Sequence, residues 1–293
     1  MAVTESESAA RNARAAASDA APTSRNGSRG SRPKRTVRLT SRRPLGAARL
    51  AGPLVVLVVW QVASSTGLLD PRQLEAPSTA VHTGVQMVLD GDLLPHLAAS
   101  ARRAVGALLC GVLLGTVLAL ISGLSRVGEA AVDGLVQIKR AIPTLALIPL
   151  AILWLGIGEA MKVTLITLSV LVPVYINTHA ALRGIDYRYV ELAYTVTLSR
   201  WQFIRRVALP GALPGFFTGL RLAATMSWTA LVVLEQINAT EGIGYVMTKA
   251  RDYGQTDIIV VGLVIYATMG LVSDGLVRFA ERRALSWRTS LGA

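Results

Sequence analysis

Six stretches of this chain, residues 50–69, 104–125, 141–158, 163–182, 207–234 and 258–273, contain no Asp, Glu or Lys, and Arg221 is the one Arg among them. About 20 apolar residues rising ~1.5 Å each cross a hydrocarbon core of ~30 Å. Lipid admits a spanning segment only where every backbone N–H and C=O is paired internally, so such runs predict an all-α, polytopic membrane protein of about six transmembrane helices. The third and sixth stretches are short, and Pro143 and Pro149 predict a kinked or partly unwound third helix. Pro210 and Pro214 predict that the fifth span proper begins only after them.

Charged residues make up 16% of the chain and its mean hydropathy is +0.47, whereas soluble domains carry about 25% charge. The net charge of +12 would suggest a nucleic-acid partner in a soluble protein. Here the cations collect in a tail and between apolar runs, which points to lipid and to no nucleic acid. Residues 1–44 are Ala/Ser/Arg-rich, hold ten of the thirty Lys and Arg residues and show no apolar periodicity. They read as a disordered basic cytoplasmic tail. Its length, and the apolar runs that follow, favour a signal anchor at 50–69 over a cleavable leader. A membrane domain then covers 45–288, and 289–293 form a C-terminal tail.

With the tail and Arg49 inside, the remaining inner segments hold twelve Lys and Arg and the outer segments six. This bias predicts a multi-pass protein with both termini cytoplasmic. Arg102 and Arg103 fit poorly and are expected to snorkel from the outer end of the second span. Glu235, near the outer end of the fifth, is expected to be solvated.

No enzyme constellation is apparent. His82, His96 and His179 lie on separate segments, and HExxH, GxSxG and phosphate-loop patterns are absent. The lone Cys110 allows no internal disulfide, and neither a metal site nor a cofactor is predicted. Gly111, Gly115, Ala119 and Gly123 form a small-residue ridge that reads as a helix-packing surface. Arg221 sits within a span, where a charge costs about 2.5–3.5 kcal/mol. It either snorkels to the nearer surface or faces a translocation path.

The inner loop, 183–215, is patterned. Asp186 can cap one short helix, and Ser199-Arg200-Trp201-Gln202 is a capping box opening a second, which Pro210 should stop. Trp201, Ile204 and Ala208 share one face of that second helix, with Gln202, Arg205 and Arg206 opposite. Such a pair lies flat on lipid or docks into a cytoplasmic partner.

The run Glu191-Leu192-Ala193, then Trp201-Gln202, then Val207-Ala208-Leu209-Pro210-Gly211 resembles the EAA loop of permeases in binding-protein-dependent ATP-binding cassette (ABC) importers. Residues 147–159, 183–186, 219–222, 241–245 and 255–257 are similar to the nitrate, sulfonate, taurine and bicarbonate branch. The resemblance implies a permease moving a small solute, an aliphatic sulfonate or related anion, by alternating access. Implied partners are cytoplasmic ATP-binding subunits that hydrolyse the ATP, an extracytoplasmic solute-binding protein and a second permease copy. It implies an ATPase-coupling role for Glu191, Ala193, Thr197, Trp201, Leu209 and Pro210. Thr197 stands where that family usually has Gly, so the turn there either avoids a left-handed residue or has a different shape. The competing reading, an ion-coupled secondary transporter, would usually show a mid-membrane acid and matching halves. Neither is visible.

Overall fold

Ten helices account for the regular structure among the described residues, 48–70, 72–237 and 239–287 of a computed structural model, with one 3₁₀ turn between two of them. They are α1 (Ala48–Ser65), α2 (Pro77–Leu89), α3 (Leu93–Leu124), α4 (Arg126–Ala141), α5 (Ile148–Leu155), α6 (Glu159–Arg183) and α7 (Tyr187–Thr195). After these come α8 (Arg200–Glu235), which contains a π turn, α9 (Ile243–Asp252) and α10 (Thr256–Ala284). The expected tails, 1–44 and 289–293, lie outside the described residues.

Four helices, α3, α6, α8 and α10, are long and apolar enough to cross a bilayer. A fifth crossing is available to α4 and the segment Thr144–Leu155, which meet at 90°, and α1 adds a shorter apolar helix. The six apolar stretches fall on α1, α3, the 3₁₀ turn Thr144–Leu147 with α5, α6, α8 and α10. Three details differ from expectation. The third stretch is the second arm of a bent pair with α4, because Ile142 and Pro143 leave the helix in extended conformation. Pro210 does not end its helix. An i→i+5 bond from Leu209 N to Ile204 O widens the turn just before the ring, and the helix runs on. The last helix extends to Ala284, so Asp274 falls within it.

Glycine sets the centre of the bundle. A Cβ on Gly111 would lie 2.6 Å from Val170 Cγ1, on Gly115 2.8 Å from Leu171 O, and on Gly123 2.7 Å from Leu182 Cδ1. The small-residue ridge of α3 therefore packs on α6, and the pairing advances in one direction, which makes these helices parallel. Parallel neighbours need a crossover, supplied here by α4, the bend and α5. Gly215 and Gly219 of α8 meet α6 just as closely, near Asn177 and Pro173, with α8 antiparallel. Met161, Leu165, Ile166, Val170, Val174, Leu231 and Leu234 fill this core. Outward, Leu54, Val55, Leu109, Leu113, Leu263, Val264, Leu271 and Leu276 are exposed. That apolar belt is suited to lipid tails and would be an aggregation surface in water.

Candidate functional site

At the Arg183 end of the bundle, α7 and the start of α8 form a self-capped pair. Asp186 Oδ1 accepts from Arg188 N at 2.9 Å and opens α7. Its close is a Schellman turn, with Leu198 N donating to Ala193 O at 2.9 Å and Thr197 N to Tyr194 O at 3.1 Å. That turn needs a left-handed residue, and Thr197 supplies it at φ +51°, the sole non-glycine positive φ among the described residues. The glycine geometry is thus kept without glycine. Ser199 and Gln202 then cap each other reciprocally at 3.3 and 3.0 Å.

The outer surface of this pair is unusually apolar. Tyr187, Tyr189, Leu192, Val196 and Trp201 are exposed, as is Tyr194 at 78%. Trp201 does not share the inward face of Ala208 as its spacing suggested, because the π turn adds a residue between them and offsets the two faces. Glu191 is exposed and has no ion-pair partner among the described residues. Ala193 is buried, on the wall of a 450 Å³ hollow lined also by Leu124, Val190, Tyr194, Leu198 and Phe203. Leu209 and Pro210 lie beyond it on α8, where Ala208 and Ala212 pack with Leu182.

Arg221 donates to Asp274 Oδ1 of α10 at 3.1 Å, and Arg278 bonds the other oxygen of that carboxylate. Its charge is met by a carboxylate on a neighbouring helix, and its side chain stays 44% exposed. Leu222 and Met226, further along α8, instead line a groove of about 750 Å³ between the α4–α5 bend, α6 and α8. Arg221 is absent from that lining.

At the opposite, Glu159 end lies a buried charge cluster. Glu235, 1% exposed, accepts from Ser100 Oγ at 2.8 Å, Arg103 Nη1 at 2.8 Å, Gly244 N at 2.9 Å and the Tyr266 hydroxyl at 2.9 Å. Arg103 is 3% exposed and also reaches Glu159 at 2.6 Å and the Glu241 carbonyl at 2.7 Å. Neither side chain behaves as the sequence suggested. Arg102 does point outward, to Glu241 at 3.0 Å, but Arg103 is drawn inward by the carboxylate across from it. Gly242 and Gly244 make this possible, since a Cβ on either would fall 2.5 Å from Glu235. The Gly-Ile-Gly run is a close-approach device that brings the first turn of α9 onto a carboxylate. The one available hint was a pair of opposite charges interrupting apolar helices, for which burial against each other is the alternative to solvation.

The family described as "Binding-protein-dependent transport system inner membrane component" matches residues 111–286. A protein of Escherichia coli (strain K12) named as an aliphatic sulfonates transport permease is 43% identical over 80% of this chain and 89% of its own length. One so named from Bacillus subtilis (strain 168) is 38% identical over 81% and 86%. In the crystal structure of an amino acid ABC transporter with histidines, a chain of 18% identity aligns over 68% of this chain and 97% of its own, with a TM-score of 0.58. That likeness concerns the fold alone.

Proposed function

Because the chain belongs to the binding-protein-dependent transport system inner membrane components, we propose that it is the membrane-spanning subunit of an ATP-driven importer for aliphatic sulfonates. The observation that supports the coupling mechanism is the doubly capped helix pair with its exposed tyrosines and Trp201, which no helix among the described residues covers. Apolar aromatic side chains fixed on a short helix suit insertion into a cleft of a partner. In this reading the pair is cytoplasmic, as are both termini. Two ATP-binding subunits receive it, with Glu191, Thr197 and Trp201 at the contact and Ala193, Leu209 and Pro210 holding its base. ATP-driven closure of those subunits tilts the helices attached to the pair, and a second copy of the chain completes the path. The bundle then opens alternately to either side.

The cargo is supported by extended similarity to the two permeases named for sulfonates. A secreted binding protein delivers it, and hydrolysis belongs to the ATP-binding subunits. The test is growth of a deletion strain lacking redundant transporters on ethanesulfonate or taurine as sole sulfur source, with uptake of labelled sulfonate and nitrate. Loss of growth and of sulfonate uptake is the expected result, and unimpaired uptake would discard the cargo.

A further inference from the structure

The groove between the α4–α5 bend, α6 and α8 carries charge that nothing in the bundle answers. Its lining includes Lys139 and Arg140, the last basic residues of α4, with Thr144, Ser169, Asn177 and Thr229 and the apolar Leu145, Val172, Ile176, Leu222 and Met226. The α6 residues on it, Ser169 to Asn177, lie about 9–21 Å along that helix from its Arg183 end at ~1.5 Å per residue. The groove therefore lies at hydrocarbon depth. Lys139 donates to Thr144 Oγ1 at 2.7 Å, an uncharged partner across the bend. Among the described residues neither Lys139 nor Arg140 has a carboxylate within 4.0 Å, and no Asp or Glu lines the groove. Among the described residues the two buried cations are matched, Arg103 by Glu235 and Lys162 by Glu159, and the more exposed Arg221 is matched by Asp274.

We infer that this groove is the anion subsite of the transport path, where Lys139 and Arg140 hold a sulfonate head group while the facing apolar wall takes its alkyl chain. The inference rests on the sulfonate reading above. Lys139, half-buried, and Arg140, exposed, stand on the groove with the α6 residues Ser169 to Asn177, and unmatched cations there require water, an anion or both, since a bare charge in lipid is costly. An open groove of about 750 Å³ gives room for a small hydrated solute. Its two-sidedness matches an amphiphilic anion: the cations sit together at the bend, and the α6 and α8 walls are mostly apolar, with Ser169, Asn177 and Thr229 as their neutral polar groups. The α4–α5 bend has a role in this arrangement, because it turns Thr144 and Leu145 back onto the groove beside Lys139 and Arg140. The partner of Lys139 is a single neutral hydroxyl, which leaves its other N–H donors free for a passing anion.

Two measurements test this. The first is independent of transport: Met226→Cys in a Cys110→Ala background is labelled in nanodiscs with sulfonatoethyl and with trimethylammonioethyl methanethiosulfonate, each rate divided by that of a free thiol. A groove lined by unmatched cations should favour the anionic reagent by about tenfold or more, and Lys139→Gln with Arg140→Gln should remove the preference. The second is sulfonate uptake by the full importer, where the same double substitution should lower Vmax at least tenfold with normal membrane level. KM, governed by the binding protein, should stay within about twofold, and Lys139→Arg should keep most of the rate. Equal normalised labelling rates, or wild-type Vmax in the double variant, would overturn the inference. Absence of sulfonate uptake by the unaltered chain with the labelling preference intact would refute the cargo proposed above and leave an anion subsite in place.

Discussion

Arg103→Met should destabilise the bundle by about 3 kcal/mol. Breaking a buried ion pair by removing one partner typically costs about 3–5 kcal/mol, because the remaining charge is left in a low-dielectric site. Glu235 is that charge, with a side chain wholly inaccessible to solvent. Ser100, Gly244 N and Tyr266 would still donate to it, which places the cost at the lower end of the range. Glu159 and Glu241, the other carboxylates that Arg103 serves, are 58% and 48% exposed and can turn to water. At about 2–4 °C per kcal/mol for a chain of this size, Tm should fall by roughly 6–12 °C. Glu235→Gln should cost a similar amount, since either orientation of the amide sets its NH₂ against a donor, Arg103 on one side or Gly244 N and Tyr266 on the other. The double variant removes both charges and should be less damaged than the sum, by about 2 kcal/mol. Intrinsic fluorescence of detergent-purified protein, with the core Trp228 among its five tryptophans, reads the transition. A Tm shift below about 2 °C for Arg103→Met, or strict additivity in the cycle, would mean that water reaches this cluster and that the buried pair is not what holds α9 to the bundle.

Thr197→Gly should stabilise the protein by about 0.5–1 kcal/mol, since the left-handed strain of ~1–2 kcal/mol is relieved and part is returned as glycine chain entropy; a lowered Tm would show that Thr197 makes compensating contacts. Glu191→Lys should leave insertion and membrane level normal yet abolish sulfonate uptake, and wild-type uptake would remove Glu191 from the ATPase contact. In intact cells, an impermeant maleimide should label Thr240→Cys and spare Ser199→Cys, both in a Cys110→Ala background; labelling of Ser199→Cys would invert the proposed topology.

The long-range composition of the chain made the bundle legible, since charge-free runs of spanning length leave a helix few alternatives in lipid. The α3 ridge was equally readable, because small residues every fourth position act through backbone approach, which sequence spacing determines. The caps at Asp186 and Ser199 were readable for the same local reason. What escaped is decided between distant segments. Whether Arg103 snorkels or turns inward depends on Glu235, 132 residues away, and on two glycines that allow α9 to close over it. The π turn before Pro210 was hidden too: proline announces a lost hydrogen bond, but whether the chain stops or widens is settled by the packing of Ala208 and Ala212 on Leu182. Arg221 was recognised as a charge needing an answer, and the answer lay just beyond the last apolar stretch at Asp274.

The uninterrupted course of α8 has a mechanical side. Its 36 residues make a rod of about 54 Å at ~1.5 Å per residue, and they join the exposed helix pair at one end of the molecule to Glu235 at the other. A rod of that length pivoting near its middle turns a rotation of about 5° into about 2 Å at each tip, in opposite directions. Its softer points, the π turn and Pro214, lie toward the Trp201 end. Beyond them the rod has a fully helical course past the groove, so in the coupling proposed above a displacement at Trp201 would arrive at the Arg103–Glu235 cluster as a tilt of one beam, moving both ends of the bundle on the same stroke.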